Sequence, residues 1–286
     1  MTLFELVKIV LDELYKEGQE EYGAGLDDEI KQKLHYLSGS YSVLNDASRE
    51  PVNYRDPATR FAYVFRYVAS HGGYMVQILN ELAAQLGGAI FQTENIRVSC
   101  VGGGPGSDIV AILKYLEENE HEPVNKIVLY LLDKELAWAD TWSEFATMLN
   151  VGISLNTNFQ QLDITDPGSW KLQKKYLQAD LFTMSYFVSE VFSLHKSGTK
   201  IAFWKSLFEE AKPGSLFLYD DNGHTYFTNY FDAQWNTAGL ECLISEDNTK
   251  FTPRYSEQAS ELGEYLKKFK NPKIQAKVTH RVLRKQ

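Results

Sequence analysis

Apolar positions fall into two kinds of run, and the change between them divides the chain near residue 90. Before it, they recur at spacings of three and four. Leu3, Leu6, Val7, Val10, Leu11 and Leu14 share one helical face, which predicts a helix over 2–16. Thr2 followed by Glu5 is a capping-box start for it. A polar, glycine-bearing loop is expected over 17–25, a second helix from Asp27 or Asp28 through Leu37, and a small-residue turn over 38–45. Asp56-Pro57 places an N-cap acid before a proline at the first helical position. The helix it opens is expected to stop at Gly72-Gly73, and another over 74–86 to end at Gly87-Gly88. The first third thus reads as all-helical, a cap over the open edge of a ligand crevice.

Beyond residue 90 strands and helices alternate. Ile96 to Val101 is short and β-branched, and 126–133 is a continuous apolar run, as a fully buried parallel strand should be. A helix over 138–149 follows, then strands over 151–155 and 159–163, a fourth over 179–185, and a helix over 199–211 closed by Lys212-Pro-Gly214. Strands over 215–220 and 239–244, a charged amphipathic helix over 256–269 and an alternating, half-exposed strand over 274–282 complete the pattern. This order predicts an open, mostly parallel α/β sheet over 91–286 behind a helical cap over 1–90.

Composition narrows the partners. The 286 residues can bury a sizeable core, and the 44% hydrophobic and 23% charged content is that of an ordinary globular chain. No apolar run is long enough to span a bilayer, and the acidic, amphipathic first helix does not read as a secretory or transit segment. Two cysteines, Cys100 and Cys242, in apolar runs point to a reducing compartment, cytoplasm or nucleus, and no Cys/His cluster has the spacing of a metal site. A net charge of −9 does not suit unaided binding of duplex RNA. It favours a small molecule, a protein, or RNA delivered by a partner.

The chemistry concentrates after the first strand. Gly102, Gly104 and Gly106 follow it at alternate positions and lead into Ile109–Leu116 at helical spacing, with Ser107 or Asp108 as N-cap. Strand, glycine turn and helix open a nucleotide-binding βαβ unit. The dinucleotide pattern G-x-G-x-x-G has its third small residue one place later, so this G-x-G-x-G order resembles the cofactor loop of class I S-adenosylmethionine (SAM) methyltransferases. The position two before the first glycine, an acid in most such enzymes, is Cys100; Asp108 is the candidate to supply that negative charge from the helix side. Asp133 ends the second strand, where an acid accepts hydrogen bonds from ribose hydroxyls. Asp163 ends the third and could meet the adenine amino group, with Ile164 against the ring face. Ser185, Tyr186, Ser189 and Glu190 leave the fourth strand, which adjoins the first where such sheets bind ligands.

The residues from about 96 to 286 look like a class I SAM methyltransferase, implying a seven-stranded Rossmann-like sheet, mostly parallel with its last strand antiparallel. Val101-Gly-Gly-Gly-Pro-Gly-Ser-Asp108 with Asp180-Leu-Phe-Thr-Met-Ser-Tyr-Phe-Val-Ser-Glu190-Val is similar to a narrower branch of ribosome-linked methyltransferases. That branch includes the fungal large-subunit ribosomal RNA uridine-N3 methyltransferases and, more distantly, a mitochondrial small-subunit assembly factor. Its fourth-strand pattern is D-L-[VI]-T-x-x-[FY]-x-x-[NS]-E-L, which Asp180–Val191 follows except at Phe182 and Val191. Tyr54-Arg-Asp-Pro57 and Tyr219-Asp-Asp-Asn-Gly223 agree more loosely.

The resemblance implies S-adenosyl-L-methionine as cofactor, S-adenosylhomocysteine as product, and an N or O methyl acceptor: a uridine-type RNA base by the branch, otherwise a small molecule or protein. A base must take the acceptor's proton. Glu190, Asp221 and His224, at the exits of the fourth and fifth strands, are the candidates, each with the alternative of a solvated or capping residue. Tyr186 and Tyr226 could sandwich an extruded base. The helix over 60–71 carries Arg60, Tyr63, Arg66, Tyr67 and His71 among apolar residues, either as a stripe facing cofactor or substrate or as core residues with polar heads in water. A methyltransferase fold without catalysis, used as a SAM sensor or assembly partner, is the alternative from another class; a nicotinamide dehydrogenase is opposed by the early third glycine.

Overall fold

The computed structural model describes residues 1–149, 152–194 and 197–286. A seven-stranded sheet runs through it in the order β3-β2-β1-β4-β5-β7-β6. β1 (Asn95–Val101), β2 (Lys126–Asp133), β3 (Ser154–Gln161), β4 (Leu181–Ser185) and β5 (Leu216–Asn222) are mutually parallel. β7 (Ala276–Arg284) lies antiparallel between β5 and β6 (Glu241–Phe251). The sheet order reverses between β1 and β4, and in such sheets ligands bind beyond the strand ends at that reversal.

Alternation along the strands sends successive residues to opposite faces. Leu131, Leu181 and Leu218 join one apolar cluster, Leu132, Phe182 and Phe217 another. On the first face lie the N-terminal helices α1 (Leu3–Tyr22), α2 (Leu26–Ser42), α3 (Pro57–Tyr63) and α4 (Ala69–Leu86), then α5 (Ser107–Glu118) and α6 (Ala137–Met148). Trp170 from α7 (Pro167–Lys171), Val188 from α8 (Phe187–Phe192), Phe203 and Trp204 from α9 (Ser197–Glu210) and Phe231 from α10 (Thr225–Thr237) pack on the second. α11 (Glu264–Phe269) returns to the first face through Tyr265 and Phe269. No described helix is long and apolar enough to cross a membrane.

Several boundaries differ from the sequence expectations. The Thr2–Glu5 capping box forms, but α1 continues to Tyr22, because 17–22 holds good helix formers and Gly18 packs against Leu26. Only a 3-10 turn, Gly23–Gly25, separates α1 from α2, which consumes the expected turn as far as Ser42. Gly72-Gly73 does not stop the next helix. Pro57 to Leu86 is one rod, with a π-helical segment at Val64–Val68 and a left-handed Gly87 at its end. A Cβ on Gly72 would lie 3.4 Å from Leu3 and 3.6 Å from the Ser107 carbonyl oxygen, so this glycine serves close helix packing.

Further along, neither Ser107 nor Asp108 caps α5; Gly106, left-handed, occupies that position. The two expected strands 151–155 and 159–163 are one strand, β3, and Val151 lies outside the described residues. The expected helix over 256–269 splits at Gly263 into a 3-10 turn, Ala259–Leu262, and the short α11. The closing strand is not half-exposed: Val278–Leu283 is buried, because β7 lies inside the sheet with apolar clusters on both faces, Val278 and Val282 in one and Leu283 in the other.

Candidate functional site

The loop after β1 is held open by its glycines. Gly102, Gly104 and Gly106 have φ of 68, 48 and 89°, the left-handed region that favours glycine. A Cβ on Gly102 would sit 2.1 Å from the Phe187 ring and one on Gly106 2.3 Å from Trp142, whereas Gly104 has nothing nearer than Trp138 at 3.9 Å. Backbone N–H groups of Gly102 and Gly103 donate to the Leu132 carbonyl at 2.8 and 3.1 Å, tying the loop to the end of β2. There Asp133 accepts from the N–H groups of Gly104 and Glu135, each at 2.9 Å. Burial pushes its carboxyl up to about 7 in spite of those donors.

Six of the eight residues expected from the sequence to meet the cofactor line one cavity at this point: Gly102, Gly104, Asp133, Asp163, Ile164 and Ser185. Trp138 of α6 and Leu162 add apolar wall. Asp163 lies just past β3 and accepts from the Thr165 N–H and hydroxyl at 2.8 and 2.6 Å. Burial acts to raise it, but the Thr165 hydroxyl and the Lys134 ammonium at 2.9 Å together hold it below the usual carboxylate range. Ser185 donates to Asp220 at 2.9 Å.

A second cavity, of about 280 Å³, lies against the first. Tyr63, Tyr186 and Glu190 belong to the walls of both. Tyr41 enters it from α2, and Arg66 and Tyr67 from the π-helical segment. Such segments recur at functional sites because the extra residue re-aims side chains. His71 and Lys273 complete its polar lining. Tyr186 is itself left-handed, φ 53°, and its ring stacks on His71 at 4.0 Å and 6°. Burial holds His71 well below the ordinary imidazole range, so it is neutral.

Glu190 lies on α8. Its Oε1 accepts from Tyr41 at 2.9 Å and from Tyr54 at 3.4 Å, and these two tyrosine hydroxyls also bond each other. Its carboxyl is raised, chiefly by burial, although the Tyr41 hydroxyl and the Arg49 charge act the other way. Arg49 also donates to the Glu190 carbonyl oxygen.

Two of the expected cofactor residues and two of the three expected bases line neither cavity. Gly106 packs behind Trp142. Asp108 is buried beneath the loop, accepting from Thr183 at 2.6 Å and Ser107 at 3.3 Å, with burial raising it to about 6. Asp221 is also raised to about 6 by burial and accepts from the N–H groups of Ser189 at 2.8 Å and Asn222 at 2.7 Å. His224 is exposed and stacks on the exposed Tyr226 at 4.7 Å, so Tyr226 is no partner for Tyr186. From the expected stripe, Tyr63, Arg66, Tyr67 and His71 reach the second cavity, but Arg60 is buried elsewhere, bonding the Tyr54 and Arg55 carbonyls and Glu17. Sequence reasoning missed Tyr41, Tyr54, Trp138 and Lys273. Trp138 carried a signal, five residues after a strand-ending acid; Lys273, in a coil between α11 and β7, carried none.

The sheet order, the alternate-glycine loop and the acid closing β2 define a class I methyltransferase. The family described as "Putative SAM-dependent methyltransferase" matches residues 53–244 of the 286, and the chain belongs to it. It is a SAM-dependent enzyme. Among solved structures, an O-methyltransferase family protein from Burkholderia thailandensis is similar at 12% identity and TM-score 0.52, over 91% of this chain and 72% of that one. The N-methyltransferase NodS from Bradyrhizobium japonicum, in complex with S-adenosylhomocysteine, is similar at 9% identity and TM-score 0.42, over 86% of this chain and 98% of that one. No curated protein matches the sequence. The residues present fit SAM: the open side of Gly104 leaves room for backbone approach, and a buried acid and an apolar ring wall suit its nucleoside.

Proposed function

We propose that the first cavity takes SAM and the second takes the methyl acceptor, a planar ring presenting an N–H or O–H, whose proton passes to Glu190. The observation that carries this reading is that Glu190, Tyr63 and Tyr186 wall both cavities at once. Asp133 would hold the ribose hydroxyls, Asp163 the adenine amino group with Ile164 and Trp138 against its faces, and the Gly102–Gly104 backbone the methionine end. Ser185 stands between them and the reacting centre. When bound, SAM supplies an electrophilic methyl group on a sulfonium, whose carbon–sulfur bond breaks toward sulfur as the acceptor lone pair bonds the methyl carbon.

The chain's part is placement and proton removal. Tyr41 donates to Oε1 of Glu190 and Tyr54, 3.4 Å from the same oxygen, bonds Tyr41; Oε2 has no partner among the described residues, leaving it to take the acceptor's proton. A carboxyl raised by burial is a better base than an exposed one. Asp221 is a positioning residue: by accepting from the Ser189 N–H it pins the turn of α8 that carries Glu190. Asp108 does the same beneath the glycine loop through Thr183 of β4. Residues 1–90 act as the cap, supplying Tyr41, Tyr63, Arg66, Tyr67 and His71 to the acceptor cavity.

A single ring fits about 280 Å³. A uridine-type RNA base, as the branch resemblance implies, meets the same requirement once extruded from its stack; a free aromatic or heterocyclic molecule meets it directly. Incubation with tritiated SAM and cell extract separated into RNA, protein and small-molecule fractions tests the reading. Label is expected in one fraction, and Glu190→Gln is expected to lower the rate about 100-fold or more while SAM binding persists. Transfer by Glu190→Gln at the native rate would remove Glu190 from the mechanism.

A further inference from the structure

The acceptor cavity holds a charge arrangement that the transfer step does not use. Acids outnumber bases 38 to 29 in this chain, and among the described residues just over half of its lysines and arginines have acidic partners. Arg66 and Lys273 do not: among the described residues neither lies within ion-pair distance of a carboxylate, although both are half-buried in the same cavity. They are fixed together, since the Lys273 N–H donates to the Arg66 carbonyl oxygen at 2.9 Å. The Lys273 ammonium rests over the rings of Tyr67 at 5.8 Å and Tyr186 at 5.3 Å; the acid whose charge reaches it, Asp221, lies beyond ion-pair distance.

Polar atoms without partners accompany them. The Nε of Arg66, the Nε2 of His71 and the hydroxyl of Tyr186 are all buried and make no hydrogen bond in the structure. His71 is 4% exposed and lines the cavity. Buried polar groups are normally satisfied, and an unpaired buried cation is costlier still. The nearby acids form no ion pair with either cation: Asp221 accepts from backbone N–H groups, and Glu190 bonds the tyrosine pair through Oε1. Two cations without ion-pair partners thus lie beside unsatisfied polar atoms in a protein of net charge −9, an arrangement that suits negative charge brought from outside.

We propose that the methyl acceptor carries an anionic group, a carboxylate or a phosphate, which Arg66 and Lys273 bind while its ring lies among the tyrosines with the reactive N–H or O–H toward Glu190. This rests on the second cavity being the acceptor site. The anion fixes the ring's orientation, and selects against neutral rings because those leave both cations unpaired.

The full-length protein saturated with S-adenosylhomocysteine is titrated by calorimetry with benzoate, phenyl phosphate and the neutral isostere benzamide. At least one anionic probe is expected to bind at least about tenfold more tightly than benzamide, and the better of the two names the anion class. Arg66→Met and Lys273→Met are each expected to remove about tenfold of that preference while affinity for S-adenosylhomocysteine stays unchanged. Benzamide binding as well as both anions would overturn the inference and leave the cofactor reading standing; this arm needs only the native protein. An anion preference untouched by either substitution would overturn it as well. Absence of S-adenosylhomocysteine binding would instead overturn the cofactor reading, and the inference with it.

Discussion

Asp133 should release a proton when SAM binds. Burial raises its carboxyl from an ordinary 3.8 to about 7, so near neutral pH about half of the free protein carries the proton there. Ribose hydroxyls donate to a carboxylate more strongly than to a carboxylic acid, so the ligand draws the group into its ionised form. If the bound form is fully ionised, about 0.5 proton leaves per SAM at pH 7 and about 0.1 at pH 8. The same linkage raises apparent affinity about tenfold from pH 6 to pH 8, as the ionised fraction climbs from roughly a tenth to nine tenths. Calorimetric titrations at pH 7 in buffers of different ionisation enthalpy read the proton count as a slope. Asp133→Asn keeps an oxygen for the Gly104 N–H, and it should flatten both the slope and the pH dependence and weaken binding. A slope of zero in the native protein, or the same slope in Asp133→Asn, would refute the placement of the ribose on this side chain.

Two other expectations concern the loop and the buried acids. Gly102→Ala drives a Cβ into the Phe187 ring from a left-handed backbone and should cost about 2 kcal/mol or more, whereas Gly104→Ala meets only the backbone strain, about 1 kcal/mol, and should mainly weaken SAM binding; denaturant midpoints and calorimetry separate the two. Asp108 and Asp221, raised to about 6, and Asp133, to about 7, hold protons in the folded chain that the unfolded chain releases near pH 4. Their contribution to stability is therefore complete below about pH 4 and lost as pH rises through 6 to 7. Asp56 and Asp163, held low, work in the opposite sense and lose theirs in acid. Urea midpoints should fall from about pH 5 to pH 8, and Asp108→Asn should reduce that fall by roughly 1.4 kcal/mol; an unchanged slope would show that Asp108 does not carry it.

The parts of the fold visible in the sequence were those set by local chemistry. Thr2 with Glu5 and Asp56 before Pro57 act within a few residues, while Asp133 meets the alternate glycines across 29 residues but at the end of the neighbouring strand, and the structure has each in place. Misread boundaries arose where tertiary packing overrode a local signal. Gly72-Gly73 looks like a helix stop, yet the helix runs on because a glycine there lets it approach Leu3. β7 alternates like a surface strand, yet is covered on both edges and both faces. Of the first cavity's lining, the residues at strand ends were legible, because each lies where a strand leaves the sheet. The second cavity was only half so, since it joins Tyr41, Lys273 and Glu190 across long stretches of chain, and a π-helical segment leaves no periodic trace over five residues.

The place of β7 also governs the order in which this molecule can be built. It follows β6 in sequence but separates β6 from β5, so β6 has no berth until the later strand arrives. While the polypeptide is being made, β5 must wait with a bare edge, and the floor under Asp220 and Asp221 is unfinished. A ribosome that stalls before Ala276 would therefore hold a nascent chain able to assemble its glycine loop but not the ground beneath its second cavity.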